Sequence, residues 1–251
     1  MIEQGHYDDD IAYWTEKLRD MPMLDLSDGT AGWDNSGSEM MQSDLTEEEL
    51  YKFKELCRNS KYSAFAGIAA VVAIAVRYYL YTDRVTLGMA YSGRSRADIE
   101  KLMGCMAVST VLDTEISAAD SFETVLTKTQ QSLNNTFEHT SMPFSFFVEK
   151  AGADRKYAML PYSIMLNEVN SDYISMENFS GMRFAMADVA VDIMVVTEFS
   201  SQKSSLSFSY LKTKFSKEFM DEFNSVVSDI IRMVIEDKTI TAETIEKKLD
   251  E

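Results

Sequence analysis

Few side chains in this sequence are suited to chemistry near neutral pH. There are two histidines, His6 and His139. General-base catalysis most often needs an imidazole whose tautomer a neighbour fixes. His6 precedes the first helical pattern and is not expected to act as a base. His139 ends a helical pattern and is followed by Thr140, Ser141, Met142, Pro143 and Phe144. Its simplest use is at a helix C-terminus, where its ring caps carbonyls and suits the negative end of the dipole. Cys57 and Cys105 are the only cysteines, so neither a disulfide framework nor a four-ligand zinc site can be built. Both fall on apolar patterns and read as buried, reduced thiols. Asp8, Asp9 and Asp10 suggest a metal cluster, but consecutive acids at a helix start more often serve the dipole. HExxH, CxxC, GxSxG and Walker-type spacings are missing, and Gly93-Arg94 lacks the further glycines of a phosphate cradle. Met103, Met106, Met182 and Met186 read as core filler. The residues therefore predict no catalytic group, no metal and no directly bound cofactor.

The elements that must position these residues follow from periodicity. Ile11, Trp14 and Leu18 share one helical face behind the three aspartates. Residues 20–43 lack periodicity and read as a long loop with a turn at Asp28-Gly29. Thr46 and Glu49 form a capping box before Leu50, Phe53 and Leu56. A second helix from about Ser63 is apolar on nearly every side and should be central. Residues 84–91 alternate as a strand, and another strand is expected over 107–112. Phe122, Val125, Leu126, Thr129, Leu133 and Phe137 form a helical stripe after Ser121. Tyr162, Ile164 and Leu166 alternate, and 191–199 is rich in β-branched residues. Leu206, Phe208 and Tyr210 alternate again and can pair back through a turn at 200–204. A last helix over 217–236 starts at Ser216, with Phe215 and Met220 as a hydrophobic staple. This order predicts an α/β fold. It divides into an N-terminal helix and connecting loop over 1–43 and a body over 44–251, or forms one unit.

Composition bounds the partners. The 251 residues are 45% hydrophobic and carry a net charge of −17. That charge disfavours nucleic acid and anionic membrane surfaces. The apolar run 64–76 is too short to span a bilayer, and the N-terminus has no apolar signal core, so a cytoplasmic location is expected. An acidic partner would need a local basic patch, for which Arg84, Arg94, Arg96 and Lys101 are candidates.

Several stretches, in order, resemble the condensation domains of nonribosomal peptide synthetases, within the chloramphenicol acetyltransferase-like superfamily. Tyr13-Trp14, Leu18 and Pro22 follow the YWxxxLxxxP stretch, and residues 63–78 resemble a long helix ending in an Arg-Tyr pair. Leu87-Gly88, Gly93-Arg94 and Met103-Gly104 follow a strand, GR and hydrophobic-Gly pattern. Residues 104–110 stand where GxFVNT is usual, and His139, Pro143 and Phe144 match HQDxPFE. Residues 162–167 and 206–215 complete the match. Met106, Ser109, Thr140, Ser141 and Ser145 depart from the family residues, and Asp113 stands near where an arginine is common.

The resemblance implies a chloramphenicol acetyltransferase-like half with a mixed sheet packed against helices. It implies structural roles for Tyr13, Trp14, His139, Pro143 and Phe144, and places Gly93, Arg94, Gly104 and Ser109 at the floor loop or tunnel. The family's HHxxxDG histidine belongs to an N-terminal half, and the sequence contains no such motif. The resemblance thus implies the C-terminal half of an amide-forming acyltransferase. Its substrates would be the phosphopantetheine arms of carrier proteins, and its partner an N-terminal half in another chain or a neighbouring synthetase domain. The alternatives are a non-catalytic docking or scaffold module and a standalone acyltransferase completed by His139 or by a second copy.

Overall fold

The computed structural model describes residues 7–29, 37–93, 107–152, 162–169, 191–200 and 203–251. In chain order the elements are α1 (Asp8–Arg19), β1 (Ser38–Gln42), α2 (Glu47–Asn59), α3 (Ala64–Leu80), β2 (Arg84–Tyr91), β3 (Val108–Glu115), α4 (Phe122–Glu138), α5 (Phe144–Lys150), β4 (Ile164–Val169), β5 (Ile193–Phe199), β6 (Ser204–Leu211), α6 (Lys217–Glu236) and α7 (Ala242–Leu249). The six strands form one mixed sheet in the order β1-β6-β5-β4-β2-β3. β2, β4 and β5 run parallel, and the other neighbouring pairs are antiparallel.

Alternation along the strands sends two sets of side chains to two apolar layers. Val85, Leu87, Leu112, Ile164, Leu166, Val195 and Phe208 face the larger layer, which includes residues of α2, α3, α4, α6 and α7. Val111, Met165 and Met194 face a smaller layer with Trp14 and Leu18 of α1 and Phe144 and Phe147 of α5. Helix α3 is the centre of the first layer: Ala66 to Val76 is buried throughout, as an all-round apolar helix requires. Ser63 caps its start by accepting from the Ala66 N–H, and Tyr81 stops it in the left-handed region at φ 50°. Among the described residues no single helix is long and apolar enough to cross a membrane.

At α2 the capping box is formed, with Thr46 accepting from the Glu49 N–H and Glu49 accepting from the Thr46 N–H. The Arg232 guanidinium and these Thr46 donors hold the Glu49 carboxyl down to about 2. A carboxyl whose folded value is depressed stabilises the fold above its unfolded range. That contribution fades as pH falls toward about 2, and salt screens it. Thr46→Ala should cost about 1 kcal/mol. The check is urea unfolding, with a lower midpoint and an unchanged slope.

The structure corrects the sequence reading of the elements and of the basic patch in four places. Residues 38–42, expected to be loop, form the strand β1 because they register antiparallel with β6 from Ser38–Leu211 to Gln42–Ser207. Helix α7 has no counterpart in the sequence reading. It is held by Arg77, whose guanidinium pairs with Glu246 on α7 and with Asp83, and it begins at a Thr241 cap. Phe137 lies 41% exposed rather than in the core, its ring meeting Tyr91 at the end of β2 at 5.0 Å. Arg84 does not contribute to a free basic patch, since Asp113 engages it in two hydrogen bonds of 2.9 Å. Arg94, Arg96 and Lys101 lie outside the described residues.

Side chains of α4 close the middle of the outer margin of β3. Ser132 of α4 donates to the Asp113 carbonyl at 2.7 Å, and Thr136 donates to the Val111 carbonyl at 3.2 Å. Four helical residues advance about 6 Å and two strand residues about 6.6 Å, so hydroxyls four apart on α4 meet carbonyls two apart on β3.

Candidate functional site

Three parallel strands, β2, β4 and β5, end on the same side of the sheet, at Tyr91, Val169 and Phe199. Open α/β sheets bind ligands outside such carboxyl ends. Gly93, with φ 67°, follows β2 there, and Ser109 is exposed at the start of β3, paired with Ala90. The fold thus brings two of the four floor-loop candidates to this rim. Arg94 and Gly104 lie outside the described residues, as do His6, Cys105, Met103, Met106, Met182 and Met186.

The structural candidates gather beside it. His139 is the C-cap of α4, and its backbone N–H donates to the Asn135 and Thr136 carbonyls. Its ring does not cap carbonyls, as the sequence suggested. Nδ1 instead meets Asp10 Oδ1 at 2.8 Å, and the ring stacks on Tyr13 at 4.2 Å. Ser141 donates to the other Asp10 oxygen, and Trp14 Nε1 donates to the His139 carbonyl at 2.8 Å. Pro143 caps α5, and Phe144 packs edge-on against Trp14 at 5.1 Å. Tyr13, Trp14, His139, Pro143 and Phe144 therefore form one corner joining α1, α4 and α5. Asp8, Asp9 and Asp10 do occupy the first turn of α1, and Asp10 is additionally spent on this corner. The carboxylate here comes from α1 and the hydroxyl from position 141.

Further along α1, Lys17 Nζ lies 3.0 Å from Asp113, which also holds Arg84. Arg84 in turn donates to the Lys17 and Asp20 carbonyls at the α1 C-terminus. Burial pushes the Tyr13 phenol up, opposed by a hydrogen bond with Thr136. Cys57 is buried against Gly67, and burial pushes its thiol up to about 12, so it is not a nucleophile at neutral pH. Among the described residues no group of three His, Cys, Asp or Glu could hold a metal ion.

The surroundings of Tyr162 are not legible in the sequence. Its ring lies against Gly88, where an added Cβ would come within 2.1 Å of it, and its hydroxyl is buried without a hydrogen-bond partner. In the sequence the Leu87-Gly88 pair stands out only as part of a strand pattern, and an aromatic before β4 gives no separate signal.

A family model described as condensation domain matches residues 1–248. Tyrocidine synthase 3 of Brevibacillus parabrevis is 24% identical over 202 residues, covering 76% of this chain and 3% of its own length. Hybrid PKS-NRPS synthetase iliA of Neonectria sp. (strain DH2) is 24% identical over 163 residues, covering 62% of this chain and 4% of its own. Among solved structures, the X-domain from teicoplanin biosynthesis superposes with a TM-score of 0.80 at 13% identity, covering 97% of this chain and 57% of that one. The condensation domain from Monacolin K polyketide synthase MokA gives 0.77 at 14% identity, covering 96% and 60%. Identities this low speak for the fold alone. The chain spans a small fraction of the curated synthetases and little more than half of the solved domains.

Proposed function

This chain belongs to the condensation-domain family, and on that premise we propose that it is the C-terminal half of an amide-forming acyltransferase of nonribosomal peptide synthesis. Its site, acting on carrier-bound thioesters, is completed by an HHxxxDG-bearing N-terminal half in another chain. The observation that carries this reading is the asymmetry of the superpositions: nearly all of this chain overlies 57–60% of an X-domain or condensation-domain chain. The state of His139 supports it, because the only imidazole among the described residues is committed to Asp10 and Tyr13. The partner half supplies the proton-handling imidazole, and this chain supplies tunnel wall and floor. The phosphopantetheine arms of cytoplasmic carrier proteins bring the two substrates together, and proximity provides much of the rate.

The test is complementation. An HHxxxDG-bearing half mixed with this chain should form amide from two carrier-bound thioesters, with neither half active alone. Amide formation by the lone chain, or none by any pairing, rejects the reading. A second reading, a non-catalytic docking module, draws on one observation. The X-domain from teicoplanin biosynthesis, solved in complex with OxyB, shares this fold with a TM-score of 0.78. Binding of a carrier or synthetase domain without transfer under any pairing would favour it.

A further inference from the structure

Among the described residues, four buried side-chain oxygens lack a hydrogen-bond partner: those of Thr110, Thr129, Thr197 and Tyr162. The Thr110 position pairs with Met89 and so faces the larger core layer. Tyr162 differs. Its ring crosses the opposite face of β2 over Gly88, two residues short of the exposed Ala90–Ser109 pair. Burial pushes the phenol's pKa up, opposed by the adjacent Ser109 hydroxyl, and the Tyr162 oxygen makes no hydrogen bond of ordinary length and angle. The phenol thus stays protonated, and its one donor is unused. An unmade hydrogen bond on a buried hydroxyl is a standing cost. Gly88 sharpens the point, since any larger residue there would evict the ring.

We propose that the Tyr162 and Ser109 hydroxyls form a two-donor subsite for a carbonyl oxygen of a carrier-tethered substrate, entered from the Ala90–Ser109 end of the β2–β3 ladder. A carbonyl oxygen has two lone pairs and accepts from both hydroxyls at once. The inference rests on the condensation reading above. The carbonyl belongs either to an amide of the pantetheine arm or to the acyl group it carries, and two probes separate these.

The experiment uses this chain paired with the HHxxxDG-bearing half. Pantetheine and a non-hydrolysable acyl-pantetheine analogue are titrated against wild type, Tyr162→Phe and Ser109→Ala, with melting temperatures recorded beside the affinities. Tyr162→Phe should weaken binding about five- to tenfold while leaving the melting temperature unchanged or raised by a few degrees, because it removes an unsatisfied group. Weakening with both probes assigns the carbonyl to the pantetheine arm; weakening with the acylated probe alone assigns it to the acyl group. Equal affinity of wild type and both variants overturns the subsite while leaving the condensation reading intact. A lowered melting temperature with unchanged affinity overturns it too, by showing that the hydroxyl serves the fold. Binding of neither probe by wild type removes the reading and the subsite together.

Discussion

Asp113→Asn is expected to destabilise the chain by about 3 kcal/mol, lowering the melting temperature by roughly 6–12 °C. The Asp113 side chain is 7% exposed and neutralises two cations, Arg84 and Lys17, at 2.9 and 3.0 Å. An amide can accept from one of them and presents its own donors to the other. The loss sits at the lower end for a broken buried pair because Arg84 and Lys17 keep 24% and 33% of their side-chain surface in water. Arg84 also closes the C-terminus of α1, so the damage should localise there. Faster amide exchange over Asp8–Arg19 would show it. A double-mutant cycle with Lys17→Met should return a coupling of more than about 1 kcal/mol. A loss below about 1 kcal/mol for the single variant would mean that the triad is solvated and contributes little.

The second large effect concerns the two candidate imidazoles of the paired protein. Alanine in place of the second histidine of the HHxxxDG half should lower amide formation by about 10²- to 10⁴-fold, the range for losing a general acid–base group. His139→Gln should leave it within about threefold of wild type, since that ring is already committed and a positioned base must reach its proton. The readout is chromatographic quantification of the amide released from carrier-bound thioesters. A folded His139→Gln variant with a loss comparable to that of the other histidine would revive the standalone reading.

Where local rules act alone, the sequence is legible. The capping box at Thr46, the Ser63, Ser121 and Ser216 caps and the Arg84–Tyr91 strand all lie where periodicity and hydroxyl spacing put them. The 200–204 turn is likewise closed by Ser200 and Lys203. Sequence reasoning fails where tertiary partners decide. Ser38–Gln42 has no apolar alternation of its own and becomes a strand only because β6 offers it a free edge. Helix α7 is short, and Arg77 fixes it from a helix 169 residues away in sequence. The family motif marks the corner at His139 as structural, but no spacing rule links Asp10 to a residue 129 positions on. Tyr162 becomes visible only through the placement of its ring over Gly88.

The closed margin of β3 bears on how this protein behaves in company. A strand at the end of a sheet ordinarily offers a template on which foreign chains can polymerise. Here Ser132 and Thr136 stand in for the next strand, so carbonyls at Val111 and Asp113 are already spoken for. Over Val111–Asp113 a foreign strand would therefore have to displace two hydroxyls of α4 before it could pair.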